Sequence, residues 1–196
     1  MPSRFCASIA CVSRSRITKG WRAAEQADWM KRVSSEWVGV CFDFGNNVAL
    51  CEDPMDSLQA LAPYTVFCHM KDMGVESYED GFLLSEVVFG DGFLKLAPIV
   101  QTLQQKDPNM IFCLEMITRD PLKIPIFKDS YWPTFEDPSS PLPGRDVARV
   151  LDIVRKNPPK TPLPRMTGLS PEAQVKAEDE YNLKCVEWSR QNLKLV

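Results

Sequence analysis

The chain has 196 residues, 44% of them hydrophobic and 25% charged, and a formal net charge of −3. That supplies apolar material for one sizeable core and is the wrong balance for a disordered chain. There is no basic excess of the kind a nucleic-acid interface leaves, and no apolar run approaches the ~20 residues needed to cross a bilayer. A soluble protein with no nucleic-acid and no membrane partner is expected.

In chain order, the first residues stand apart. Arg4, Arg14, Arg16, Lys19 and Arg22 occur with no acid before Glu25. That composition fits an organellar transit peptide, a disordered leader or a wrongly assigned gene start. Residues 1–30 are accordingly expected to be poorly ordered or unrelated to the rest, with one domain over 31–196.

From Trp37 the pattern becomes regular. "WVGVCFDF" is a short apolar run closed by "GNN" and reads as a buried strand. In "EDPMDSLQALAP", Asp53 is a candidate N-cap with Pro54 in the first turn, and Met55, Leu58 and Leu61 share one helical face. "YTVFCHM" is a second strand. A long connection carrying "YEDGF" and "FGDGF" follows, and helical spacing resumes in "LKLAPIVQTLQQK" despite Pro98. "NMIFCLEM" is a third strand. Apolar strands alternating with helices indicate a parallel sheet covered on both faces.

Beyond Arg119 the chain turns Pro-rich and is expected to wrap the surface as an ordered loop. "RDVARVLDIVRKN" reads as a helix and "KTPLPRMTGLSP" as a linker. A last helix starts at Ser170 as N-cap with Pro171 behind it. The seven cysteines are Cys6, Cys11, Cys41, Cys51, Cys68, Cys113 and Cys185. Their number is odd and no CxxC pair occurs. Cys41, Cys68 and Cys113 sit inside apolar runs, where a thiol behaves as a small hydrophobe. Reduced core cysteines of a cytoplasmic protein are expected, rather than a disulfide framework.

Each of the three strands ends at or beside a residue able to bind a metal: Asp43 in "CFDFGNN", His69 in "FCHMKD" and Glu115 in "FCLEMITRD". In a parallel α/β fold the C-terminal strand ends point to one face, where loops build the site. Two carboxylates and an imidazole suit Mn²⁺, Mg²⁺, Co²⁺ or Zn²⁺. Charges emerging from apolar strands are costly unless balanced, and a divalent cation balances them. The competing reading makes His69 a packed core histidine and gives Asp43 and Glu115 caps or ion pairs with Lys71 or Arg119. Asn46 and Asn47 either form the turn or line the site. Lys71, Asp72 and Arg119 are candidates to touch substrate or to support a ligand. "FGDGF" offers backbone N–H groups or a plain tight turn, and Tyr131 with Trp132 either covers a sugar-like ring or packs the Pro-rich wrap.

"VGVCFDFGNNVALCEDPMDSLQALAPYTVFCHMKDM", "GFLLSEVVFGDGFLKLAPIVQTL" and "FCLEMITRDPL" together resemble the later strands of the sugar phosphate isomerase/epimerase family, the xylose isomerase-like TIM barrels. The resemblance covers roughly residues 30–196. It implies a partial (β/α)8 TIM barrel, about its last three β/α units with a C-terminal helical extension. It implies a divalent metal on Asp43, His69 and Glu115, and a catalytic role for Glu115 in moving a proton through an enediolate. The substrate implied is a sugar, sugar phosphate or related polyol; a homo-oligomer stays open.

The sequence departs from the family in three respects. A whole barrel needs ~250 residues. The family's first metal-binding glutamate has no counterpart, because Glu25 and Glu36 follow no strand pattern. Phe44 stands where Thr is frequent in "LDTGN". A C-terminal barrel portion from a truncated or misassigned gene is expected. Three functions follow: a metal-dependent isomerase or epimerase, a polyol dehydratase of the same barrel, or an inactive remnant. Abasic-site endonucleases share the barrel but need several histidines, and this chain has one.

Overall fold

The computed structural model describes residues 7–8 and 20–195. Most of the expected leader, with Cys6 and Cys11, lies outside the described residues. Two of them, β1 (Ala7–Ser8), pair parallel with residues 38 and 39. From Gly20 the chain is folded, and α1 (Ala23–Val33) runs across the expected boundary at residue 30. Ala23, Ala27 and Met30 are buried on one face of that helix. Glu25 closes its first turn by accepting from the Arg22 N–H at 2.7 Å.

The predicted alternation follows. β2 (Val38–Asp43) leads through a 3-10 turn to α2 (Pro54–Leu61), then β3 (Thr65–Met70). Asp53 caps α2 as expected, accepting from the Met55 and Asp56 N–H groups at 2.8 and 3.3 Å. β3 is parallel to β2 and, on its other side, to β6 (Ile111–Leu114). Before β6 comes α3 (Leu96–Lys106), which buries Leu96, Ile99, Val100 and Leu103. Pro98 is tolerated because it lies in the first turn, where its missing N–H would have had no helical acceptor.

The stretch expected as a long connection is instead a hairpin. β4 (Asp72–Tyr78) and β5 (Gly81–Val87) pair antiparallel across a two-residue turn at Glu79 and Asp80. β7 (Leu122–Ile124), inside the Pro-rich wrap, adds to β5 and makes a second, three-stranded sheet. Every residue of β5 is buried, so its sequence lacks the period-two alternation that marks a half-exposed strand.

The parallel sheet has the order β1-β2-β3-β6 and, among the described residues, is open rather than closed into a barrel. Its cover is also uneven. Ile111 is 61% exposed and Cys113 is exposed, which corrects the expectation that Cys113 is a core residue. β6 pairs with β3 alone among the described strands, and the face carrying Ile111 and Cys113 has no covering helix or strand there. Cys41, Cys51, Cys68 and Cys185 are buried and free.

Two helices complete the chain. α4 (Gly144–Lys156) buries Val150 and Val154, and α5 (Pro171–Asn192) buries Cys185 and Ser189. Ser170 caps α5 by accepting from the Ala173 N–H at 3.3 Å. No helix among the described residues is long and apolar enough to cross a membrane.

Candidate metal centre

Strand register brings the three predicted ligands together. Asp43, the last residue of β2, is the register partner of His69, and His69 is the partner of Cys113. Glu115 lies two residues beyond Cys113, so period-two alternation returns it to the same sheet face. Backbone bonds fix the strand ends: the Phe44 N–H donates to the His69 carbonyl at 3.1 Å, and the Glu115 N–H to the Met70 carbonyl at 3.0 Å.

The side chains converge accordingly. One donor atom from each of Asp43, His69 and Glu115 lies within 4.8 Å of the others. His69 Nδ1 is 3.0 Å from Asp43 Oδ1 and 3.7 Å from Glu115 Oε2. Phe67 stands edge-on to the imidazole at 5.5 Å. The Asp43 side chain is 8% exposed, that of Glu115 19% and that of His69 29%, so the cluster opens to solvent through the histidine.

This donor set fits a divalent cation. Two carboxylates in a mostly buried place need positive charge, and oxygen with imidazole nitrogen is the chemistry of Mg²⁺, Mn²⁺, Co²⁺ or Zn²⁺ sites. The ion-pair reading holds alongside it. Lys71, whose side chain is only 1% exposed, pairs with Glu115 Oε2 and lies 3.5 Å from Asp43 Oδ1. Burial pulls the Lys71 pKa down, but the carboxylates of Asp43, Glu115 and Glu86 outweigh it and hold it above the ordinary lysine value.

The other sequence candidates fall around this centre. Asn46 opens the 3-10 turn after β2, and the Asn47 amide donates to Glu52. Asp72 turns away to the following loop, accepting from the N–H groups of Met73, Gly90, Gly92 and Leu94. In the "FGDGF" loop, the Gly90 and Gly92 N–H groups are thus taken by Asp72, and those of Asp91 and Phe93 by the Val88 and Met73 carbonyls. Arg119 Nη2 donates to Glu86 Oε1 at 3.4 Å. Tyr131 is buried, donates to the Ala49 carbonyl at 2.6 Å and stacks edge-on with Trp132 and Phe135, which is core packing. Glu25 and Glu36 are not part of the cluster.

One residue escaped the sequence reading. Glu86, near the end of β5, is 2% exposed, lies 3.8 Å from Lys71 and is held by Arg119. Burial raises its pKa, against the lowering effect of Lys71 and Arg119. A lone acid within the apolar run "FLLSEVV" is the same signal that singled out Asp43 and Glu115. Its run, however, lacks the alternation of a half-exposed strand and reads as a connection.

A family model described as xylose isomerase-like TIM barrel matches residues 13–134, more than half of the chain and beginning inside the segment that composition set apart. The 3-oxo-isoapionate decarboxylase of Pectobacterium atrosepticum is 31% identical over 80 residues, 40% of this chain and 29% of that protein. A xylose isomerase-like TIM barrel protein from Mycobacterium smegmatis, solved in complex with magnesium, is 16% identical with a TM-score of 0.43, over 69% of this chain and 40% of that one. A xylose isomerase domain protein from Planctomyces limnophilus is 16% identical with a TM-score of 0.41, over 70% of this chain and 42% of that one. The chain thus spans less than half the length of each of these relatives. Its parallel α/β architecture is that of a partial barrel, and the match over residues 13–134 makes the chain a member of the xylose isomerase-like TIM barrel family.

Proposed function

We propose that this chain carries the site of a metal-dependent isomerase or epimerase acting on a sugar, sugar phosphate or related polyol. The observation that supports it is the convergence of Asp43, His69 and Glu115 at adjacent strand ends, with donor atoms within 4.8 Å and an opening to solvent at His69. A divalent cation, which these residues would hold, would supply positive charge to stabilise the negative charge that develops on the substrate's oxygens.

The remaining work falls to the protein. Asp43 and His69 would hold the cation, and Asp43 is the better buried of the two. For an isomerase, Glu115 takes a proton from the carbon bearing the hydroxyl, and the C–H electron pair forms the enediolate double bond as the carbonyl pair moves to oxygen. The carboxylate returns the proton to the former carbonyl carbon while the hydroxyl proton passes to the other oxygen. An epimerase needs a second group to deliver the proton from the opposite face. Lys71, within reach of Asp43, Glu86 and Glu115, adds positive charge near the place where negative charge develops on oxygen. Arg119, 29% exposed in its side chain, is the cation best placed to meet an anionic group of the substrate.

A decarboxylase is the second reading, supported by the 80-residue likeness to 3-oxo-isoapionate decarboxylase. There a C–C bond breaks instead of C–H and its electron pair goes to the same oxygen, so the same charge needs the same stabilisation. The test is incubation of the purified chain with Mg²⁺ and a panel of ketoses and 3-oxo sugar acids in D₂O, followed by NMR. Deuterium entering the carbon beside the carbonyl, lost in Glu115→Gln, supports the isomerase reading. Release of CO₂ supports the decarboxylase, and loss of water a dehydratase. Calorimetry showing no binding of Mg²⁺, Mn²⁺, Co²⁺ or Zn²⁺ defeats all three and leaves an inactive remnant.

A further inference from the structure

Lys71 lies where three carboxylates meet. Its Nζ pairs with Glu115, is 3.5 Å from Asp43 Oδ1 and is 3.8 Å from Glu86 Oε1. Asp43 and Glu115 belong to the candidate cation cluster, and Glu86 does not. The lysine ammonium and a divalent cation therefore claim the same two carboxylates. Both are positive, and in a place this dry their repulsion is only weakly screened.

An ammonium displaced from Asp43 and Glu115 must keep a counter-charge, because an unpaired buried lysine is costly. Glu86 meets that need. Its Oε1 already faces Nζ, and its Oε2 is buried with no hydrogen-bond partner among the described residues. Arg119 Nη2 donates to the same oxygen, Oε1, at 3.4 Å and steadies the carboxylate. The flexible stem of lysine lets its charge shift between neighbouring acceptors without backbone movement. With Glu86, three carboxylates face Lys71, Arg119 and the incoming cation; without it, only two do.

We propose that Lys71 is a transferable counter-ion: it neutralises Asp43 and Glu115 until a divalent cation takes them, and Glu86 then receives its ammonium. Glu86 is thus a positioning residue that makes the site available to the cation. This rests on the reading of Asp43, His69 and Glu115 as a cation site.

The test is titration calorimetry of Mn²⁺ into the full chain as wild type, Glu86→Gln, Glu86→Asp, Lys71→Met and the Lys71→Met/Glu86→Gln double variant, with folding of each checked by circular dichroism. Glu86→Gln is expected to weaken Mn²⁺ by about tenfold or more, with Glu86→Asp close to wild type. Lys71→Met, which removes the competitor, is expected to bind at least as tightly as wild type. In the double variant the Glu86 effect is expected to vanish, since Glu86 acts through Lys71. Should the chains carrying Lys71→Met fail to fold, wild type, Glu86→Gln and Glu86→Asp still decide, since unweakened Mn²⁺ binding in Glu86→Gln overturns the transfer. Wild-type affinity in Glu86→Gln, or a double variant as weak as Glu86→Gln, overturns the transfer while leaving the cation site intact. Absence of Mn²⁺ binding in every chain overturns the cation site and the transfer together.

Discussion

His69 sits at the mouth of the cluster, bonded to Asp43 and flanked by Phe67, and its side chain is 29% exposed. Its removal leaves little cavity but takes away the nitrogen donor. His69→Ala is expected to abolish divalent-cation binding in calorimetry while leaving the far-UV circular dichroism unchanged. A second residue-scale outcome concerns Asp72. Burial pushes its carboxyl up from 3.8 to about 6, against the lowering effect of the four backbone N–H groups it accepts from. The folded pKa is the higher one, so the folded state holds the proton more readily. The stabilisation is fully present below pH 3.8 and is lost as pH rises through about 6. Relative to Asp72→Asn, the wild type is expected to lose about 3 kcal/mol across that window in denaturant titrations. A flat difference curve contradicts this. Both residues were visible in "FCHMKDM", but their roles were not. Three positions separate them, and the chain turns between β3 and β4, so one faces the cluster and the other the loop.

At the scale of elements, the parallel strands and their helices were legible because capping and periodicity agreed. Asp53 with Pro54, Ser170 with Pro171, and the spacing of Leu96, Ile99, Val100 and Leu103 each gave a local reason for a helix that the fold keeps. The hairpin was not legible. β5 is buried throughout, so alternation is absent, and the glycines flanking it read as loop. Gly81 shows why one of them is there: at φ +154°, an added Cβ runs into the Ile124 carbonyl and the Ile126 amide. Neither can give way without moving β7. Gly81→Ala is expected to lower stability by roughly 2 kcal/mol and to release β7 from β5. The check is faster hydrogen exchange at the residues of β7, and unchanged protection there refutes the account. The hairpin matters for the site because it carries Glu86 to Lys71.

For the whole molecule, the cluster concentrates buried charge at one end of the parallel sheet, so ligation and stability are linked. A cation that binds the folded chain at 100 times its Kd adds about 2.7 kcal/mol, which for a chain of this size raises Tm by roughly 5–10 °C. Mn²⁺ is expected to produce that shift in thermal melts, EDTA to reverse it and His69→Ala to show none. Among the described residues, the open face of β6, with Ile111 and Cys113 exposed, puts apolar surface beside the cluster.

By itself, the sequence determined that Asp43, His69 and Glu115 stand at or beside the ends of three apolar strands, and in a parallel sheet that order is enough to bring such residues to one edge. It determined the helices for the same local reasons, caps and periodic apolar faces. Tertiary structure alone decided which charges meet. Lys71 and Glu86 are 15 positions apart, and Arg119 is 33 beyond Glu86; only the antiparallel return of β5 along β4 sets them against one another. Ion pairing depends on distance in space, and a hairpin whose two strands are largely buried leaves no periodic trace by which that distance can be read in advance.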